Sequence, residues 1–285
     1  MLKAITARPG QLRFNGGATT IFQWHPGASN RFATATGSVN IFAHTSVGAS
    51  TLLFFDFEAI GGNGPNQHIP TFTSINGDAQ STQDNDGFDH LLVNEAWLEF
   101  SLWNDNVTAT VGKIDLTNYF DNNSLANDET SQFISAAFVN SAALPAPGST
   151  PGIRIRLSMF SRLYIQLGIS KVDNSGNDIL AGLMKIGGAG FKLFPESQNE
   201  ANLRVYGYLH PSNNGGGYGV SFDQNVVVGV SIFSRWNRNG SNLATWYPIR
   251  EAWSAGTRWV TSCAGRKCVL SAAYGQSSVE QASLA

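Results

Sequence analysis

Charged side chains are scarce in this chain of 285 residues. They make up 13% of it, with 18 Lys+Arg against 20 Asp+Glu and a formal net charge of −2, whereas soluble domains contain roughly 25%. Without a basic excess to contact phosphates, a nucleic-acid-binding protein is not expected. No run of about 18 apolar residues occurs, which excludes a helical membrane protein. Intrinsic disorder is also excluded, because 42% of the residues are hydrophobic.

Residues capable of metal binding or nucleophilic chemistry are few. The two cysteines, Cys263 and Cys268, flank the segment AGRK. They are interpreted either as two loop thiols or as a small disulfide across a turn. A metal site is not expected, because two further ligands at suitable spacing are lacking. None of the five histidines lies in a nucleophile or metal motif, so we expect no cofactor.

Two carboxylate pairs raise the question of glycoside hydrolysis. Asp56/Glu58 and Glu95/Glu99 each fall on one face of a predicted strand, as the acid and base of a glycosidase could. Such spacing is frequent by chance in β proteins, and the chain has no phosphate-cradling glycine loop. The sequence therefore predicts a protein that is not an enzyme.

Apolar and polar side chains alternate with a period of two, which is typical of β-strands. In residues 152–160, Ile153 and Ile155 fall on one face and Arg154 on the other. The same alternation occurs in residues 51–59, 163–170, 202–210, 226–236 and 250–259. The pattern predicts about 11 or 12 strands, many of the length that crosses a bilayer when tilted. Residues 104–106 predict a hairpin turn, and uniform composition predicts one domain.

Two architectures produce strands with one apolar and one polar face. A soluble β-sandwich turns the apolar faces towards each other, whereas a transmembrane barrel turns them towards lipid. Aromatic residues near strand ends, few lysines on the polar faces and the low charge all favour the barrel. The aromatic residues are Trp97, Trp103, Trp236, Trp246, Tyr247, Trp253 and Trp259. A soluble carbohydrate-binding β-sandwich without catalytic activity remains the alternative.

Two long irregular stretches interrupt the strands, at residues 61–90 and 115–151. Structureless segments of this length within a compact domain are usually functional. Within the second stretch, residues 129–143 predict a short helix with Glu129, Phe133 and Phe138 on one face.

Residues 111–147 read VGKIDLTNYFDNNSLANDETSQFISAAFVNSAALPAP. This segment resembles the carbohydrate-selective porins of the OprB family, particularly the cyanobacterial type, in which a strand ending in GKID leads into an FDxNxxANDETxQF loop. The matching residues are Gly112, Lys113, Ile114, Asp115, Tyr119, Phe120, Asp121, Asn123, Ala126, Asn127, Asp128, Glu129, Thr130, Gln132 and Phe133. Residues 265–285 are similar to a second family segment, with Cys268 where an acidic residue is expected.

The resemblance implies an all-β fold, an antiparallel transmembrane β-barrel of the porin type with a long loop folded toward the pore. It also implies passive diffusion of small hydrophilic solutes, sugars and ions among them, across the outer membrane of a Gram-negative-type bacterium. The implied surroundings are a lipid bilayer, and association into a homo-oligomer stays open. Family members usually continue for several strands and carry an export signal and an N-terminal module. We therefore expect residues 1–285 to be a partial porin domain with an incomplete barrel.

The alternation and the resemblance together identify candidate residues of the channel wall and of its constriction. The pore-lining candidates are Asp56, Glu58, Arg154, Arg156, Arg204, Tyr206 and Tyr208. The candidates of the constriction loop are Asp115, Asp121, Asp128 and Glu129, which we expect to face Arg154 and Arg156 and to create a transverse field.

Each nomination has a structural alternative. The two arginines could solvate a wide wall, and the two tyrosines could lie at the membrane interface. Asp115 could cap a turn, and residues 127–130 could cap a helix.

Overall fold

A computed structural model describes residues 10–26, 31–68, 90–129, 131–133, 135–173, 178, 180–195, 197–244 and 247–279. Most of the irregular stretch predicted at residues 61–90 lies outside the described residues, as do Thr130 of the family segment and Trp246. Of that stretch, the described part contains the end of a strand and a 3₁₀ turn at Pro65–Gln67.

The described chain folds into one antiparallel sheet in which each strand pairs with the next along the sequence. The strands are β1 Arg13–Pro26, β2 Arg31–Val47, β3 Thr51–Asn63, β4 His90–Leu102, β5 Val107–Ile114, β6 Thr150–Met159, β7 Leu163–Lys171, β8 Leu183–Leu193, β9 Ala201–His210, β10 Gly215–Val227, β11 Val230–Asn239, β12 Ile249–Cys263 and β13 Arg266–Val279. Short helices are α1 Thr117–Phe120, α2 Ala136–Val139 and α3 Ser241–Ala244, with a second 3₁₀ turn at Ser212–Asn214. No described helix is long and apolar enough to cross a membrane.

The hairpin predicted at residues 104–106 is confirmed, whereas the single strand predicted at residues 226–236 is wrong. There the chain reverses at Val228 and Gly229, between β10 and β11. Gly229 has a φ of +80°, a value that favours glycine over residues with a side chain. The apolar residues continue the alternating pattern through this two-residue turn. The pattern therefore does not show where the chain reverses.

Burial in the sheet is inverted relative to a soluble protein. On β6, Arg154 is only 4% exposed, whereas Ile153 is 41% and Ile155 49% exposed. The same holds along β7, where Leu167 is exposed and Gln166 is buried. A sandwich would bury these aliphatic side chains between two sheets. Their exposure on a single sheet instead agrees with an outer face that contacts lipid.

Three of the aromatic residues expected at the membrane interface are exposed, and a fourth is buried. Trp103, Trp253 and Trp259 are exposed, in a turn and on the outer face of β12. Trp97 contradicts the expectation, because it is buried on the inner side and stacks on Phe54 with ring centroids 4.7 Å apart. Trp97 lies two residues from Glu95 on the same face of β4, and its indole N–H donates to Glu95 Oε2 at 2.8 Å. This hydrogen bond holds the indole ring on the inner side.

The strand connections differ between the two ends of the sheet. Successive connections of an antiparallel meander alternate between the ends. One end therefore holds the short turns at residues 48–50, 103–106, 160–162, 228–229 and 264–265, together with residues 194–200. The other end holds longer connections, among them residues 115–149 and 172–182. The two edge strands, β1 and β13, run in the same direction and are not paired with each other in the described sheet.

Candidate functional site

The connection between β5 and β6, residues 115–149, lies against the inner face of the sheet and is called the inner loop below. It begins with a turn in which Asp115 Oδ1 accepts the backbone N–H and the hydroxyl of Thr117, both at 2.8 Å. Burial raises the pKa of the Asp115 carboxyl, and these hydrogen bonds oppose the rise. The capping role considered for this residue is therefore present in the structure.

The helix α1 fixes the first part of the inner loop by apolar packing. Phe120 and Leu116 are almost fully buried and contact Ile186 and neighbouring residues of the wall. A Cβ added to Gly168 would lie 2.9 Å from the Phe120 ring. A glycine on β7 therefore gives the ring its space, and α1 lies against β7–β9.

A buried ion pair anchors the middle of the inner loop to β11. Asp121 Oδ1 lies 3.5 Å from Arg235 Nε, and both side chains are at most 1% exposed. Arg235 also donates to the backbone oxygens of Phe138, at 2.6 Å, and of Asp121, at 2.9 Å. Asp121 accepts the Ser141 N–H at 2.6 Å and the Tyr206 hydroxyl at 3.0 Å. Burial raises the pKa of Asp121, and the Arg235 guanidinium opposes the rise.

A second polar anchor joins the inner loop to β10. Asn123 Nδ2 donates to Ser221 Oγ at 3.1 Å, and Ser124 Oγ donates to Asp223 Oδ1 at 2.5 Å. Arg204 Nη1 donates to the other oxygen of Asp223 at 2.6 Å. The charge of Arg204 is thus balanced by a strand carboxylate that also binds the loop.

The last part of the inner loop is held by amide and phenol groups. Tyr208 donates to Asn239 Oδ1 at 2.5 Å, and Asn239 Nδ2 donates to the backbone oxygen of Ala143 at 2.7 Å. Tyr247 donates to the backbone oxygen of Ala142 at 2.7 Å. Together with the two preceding anchors, these bonds attach the loop to β9–β12.

Arg154 connects the start of the inner loop to β6 and β7. Its guanidinium lies 4.2 Å from the centroid of the Tyr119 ring, and its Nε donates to Gln166 Oε1 at 3.0 Å. Gln166 in turn donates to the backbone oxygen of Tyr119 at 2.7 Å. Arg154 Nη1 also forms an ion pair with Glu99 Oε2, at 3.8 Å.

Three carboxylates lie close together where β3, β4 and the inner loop meet. Asp56 is opposite Glu95 in the strand register, and Asp115 interacts electrostatically with Glu95. Their hydrogen-bond donors are neutral groups, among them Asn94 on Asp56 and Asn118 on Glu95, at 3.1 and 3.0 Å. Within the described residues, no group of three such side chains has the geometry to hold a metal ion. This part of the wall therefore concentrates acidic side chains.

The pore-lining candidates all lie on strands whose inner face carries polar residues. Asp56 is buried, Glu58 is half-buried, and Arg156 is half-buried with its guanidinium 3.9 Å from the Tyr164 ring centroid. The other four contact the inner loop or its anchors: Arg154, Arg204, Tyr206 and Tyr208. The alternation places all seven residues on the inner face. Contacts to the inner loop or its anchors distinguish the last four from the first three.

The expected opposition between the loop carboxylates and Arg154 and Arg156 is not what the structure shows. Asp121 pairs with Arg235 of β11 instead of with the arginines of β6. Asp128 accepts the Ser131 N–H at 2.8 Å and closes a turn rather than capping a helix, since α2 begins after Ser135, and Glu129 is half-buried beside Asp128. The reason is the course of the loop, which leaves β5 and crosses to β10 and β11. The helix predicted at residues 129–143 is reduced to α2.

Sequence reasoning missed the strand residues that hold the loop. Arg235 lies on the polar face of the alternating segment 226–236, but its pairing with Asp121 joins residues 114 positions apart, which no local pattern predicts. Asp223, Asn237 and Asn239 were not nominated. The sequence does mark these residues as candidates, because each occupies an inward position of a strand, where a buried polar group needs a hydrogen-bond partner.

A cavity of about 210 Å³ remains between α2 and the inner faces of β11–β13. Its lining includes Phe138, Ser141, Arg235, Ser254 and Gln276. Hydrogen-bonding groups and the Phe138 ring therefore border open space beside the anchored loop.

A single antiparallel sheet with aliphatic residues outside, polar residues inside and a loop folded against the inner face defines a porin-type β-barrel protein. The profile of the carbohydrate-selective porin, OprB family, matches residues 18–242. The chain therefore belongs to the OprB family, and the predicted family and fold class are confirmed.

Known structures agree with this assignment. The high-pH structure of Pseudomonas putida OprB has a TM-score of 0.68 at 14% identity, over 95% of this chain and 75% of that chain. A variant of the Rhodopseudomonas blastica porin has a TM-score of 0.57 at 14% identity, over 95% and 86%. At this identity the likeness concerns the fold alone.

An uncharacterized protein of Aquifex aeolicus (strain VF5) is 27% identical over 228 residues, which are 80% of this chain. The match spans 65% of that relative's length.

Proposed function

We propose that this protein forms a water-filled channel in a bacterial outer membrane, through which small hydrophilic solutes, carbohydrates among them, diffuse passively. The observation that carries the proposal is the inverted burial of the sheet, with Ile155 exposed and Arg154 buried on the same strand. Membership of the OprB family supports carbohydrates as the solute class.

We propose that the passage runs between the free side of the inner loop and the inner faces of the first strands. The anchors at Asp121, Ser124 and Ala143 hold the loop against β9–β12, which leaves the side of β1–β4 for solutes. Along that side lie Asp56, Glu58 and nearby Glu95. In this arrangement Arg204, Tyr206 and Tyr208 support the constriction without lining it.

Groups on the inner face of β3–β7 and on the inner loop suit the recognition of sugars. Carboxylates and guanidinium groups hydrogen-bond hydroxyls, and aromatic rings pack on the apolar faces of pyranoses. Tyr119 and Tyr164 each combine a ring with an arginine, at 4.2 and 3.9 Å. A transverse field would run between ionised carboxylates of the acidic wall at Glu95 and the arginines of β6.

The proposal is tested by reconstituting the purified full chain into liposomes and planar bilayers. Swelling rates in mono-, di- and trisaccharides should decrease with solute size, and discrete conductance steps should be partly blocked by added sugar. Heat-denatured protein at the same concentration is the control. A chain that stays in the aqueous fraction without detergent and gives no conductance would contradict the channel and favour a soluble sugar-binding protein.

A further inference from the structure

Both cysteines of the chain lie on one hairpin, formed by β12 and β13. In the strand register Cys263 is opposite Arg266, and Cys268 is opposite Thr261. Residues two apart on a strand project to the same face, so Cys263 and Cys268 are diagonal neighbours on one face of the sheet.

The hairpin presents these thiols to the surroundings. Cys263 is exposed and Cys268 is half-buried, and both are free thiols in this structure. Between the strands, Ala264 and Gly265 have φ values of 52° and 75°, as in a tight two-residue turn that fixes the register. The position of each sulfur relative to the other is thus set by strand pairing.

The turn lies at the end of the sheet that carries the short connections. In outer-membrane barrels the short turns face the periplasm and the longer loops face outward. The periplasm is an oxidising compartment in which disulfides form and persist. An accessible thiol pair at this end therefore meets oxidants that a cytosolic pair would not.

We propose that Cys263 and Cys268 form an intrachain disulfide that closes the β12–β13 hairpin on the periplasmic side, an orientation that rests on the proposed function. One thiolate attacks the disulfide of a periplasmic dithiol oxidant and forms a mixed disulfide. The second thiolate then displaces the oxidant's thiolate and forms the S–S bond. The two thiols lose two protons and two electrons, and the oxidant leaves as a dithiol.

The disulfide would fasten an edge of the sheet. β13 pairs with β12 alone among the described strands, and an edge strand with one neighbour separates more readily than a central strand. A covalent link beside the turn keeps the two strands in register during insertion into the membrane.

The experiment equilibrates the purified full chain, folded in detergent, with mixtures of reduced and oxidised glutathione. The expected product has a mass lower by two hydrogens and carries no glutathione. Cys268→Ser should instead carry one glutathione at Cys263. The matched control combines Cys268→Ser with Lys267→Cys, which moves the thiol to the opposite face and brings it closer in sequence. We expect the control to require at least about tenfold more oxidising mixtures for closure.

Two glutathione adducts on the wild-type chain, closure no easier than in the control, or a covalent dimer on a non-reducing gel would each overturn the proposal. Conductance is recorded on the same preparations. Conductance without closure rejects the disulfide alone, whereas closure without conductance rejects the channel alone.

Discussion

The ion pair between Asp121 and Arg235 provides a sharp test of how the inner loop is held. Arg235→Met removes the contact with the Asp121 carboxylate and the hydrogen bonds to the backbone oxygens of Phe138 and Asp121. Removing one member of a buried ion pair costs about 3–5 kcal/mol, because the other charge loses its partner. Backbone hydrogen bonds hold β11 between β10 and β12, so the cost falls on the docking of the loop. The docking equilibrium should weaken roughly 10²- to 10⁴-fold.

Limited proteolysis of the purified protein in detergent measures this equilibrium directly. We expect cleavage within residues 122–149 to accelerate strongly in Arg235→Met, and single-channel recordings to show added current noise as the loop moves. Arg258→Met is the matched control, since Arg258 lies opposite inward-facing Ser231 on the neighbouring strand. Equal protection of the loop in Arg235→Met and the control would refute the anchoring role of the ion pair.

Three further predictions follow from the packing and the charges. Phe120→Ala should weaken loop docking by about 3–5 kcal/mol, because the ring is buried; unchanged cleavage rates of the loop would contradict it. Ile155→Lys places a charge on the outer face and should destabilise the folded protein in vesicles by about 2–4 kcal/mol, as measured by urea titration, whereas inward-facing Ser158→Lys should cost less. Arg156→Gln should shift the reversal potential in a salt gradient towards cation selectivity, and Glu95→Gln should shift it towards anion selectivity. For either variant, a shift of the opposite sign would exclude the substituted residue from the ion path.

Several features of the fold could be predicted because they depend on neighbours in sequence. Alternation alone separated outward Ile153 and Ile155 from inward Arg154, and the turn at residues 104–106 marked a hairpin. The same reasoning failed at residues 226–236, where apolar residues continue through the turn at Val228 and Gly229. It also misplaced Trp97, since aromatic residues occur both at the membrane interface and inside.

The candidate site could be predicted only in part, because its contacts join distant segments. The resemblance carried by residues 111–147 implied a long loop folded toward the pore, and the alternation indicated which strand residues face inward. Neither indicated that Asp121 would meet Arg235 or that Ser124 would meet Asp223. Those pairs depend on the direction in which the loop leaves β5, which no local pattern encodes.

The sequence by itself determined that the strands have one aliphatic and one polar face, because side chains on a strand alternate with a fixed period. The tertiary structure decided which polar side chains hold the inner loop. Phe120 finds its space only where Gly168 leaves the wall open, and Asp121 is buried only because Arg235 lies 3.5 Å away. Such contacts arise from the curvature of the sheet and the course of the loop across it.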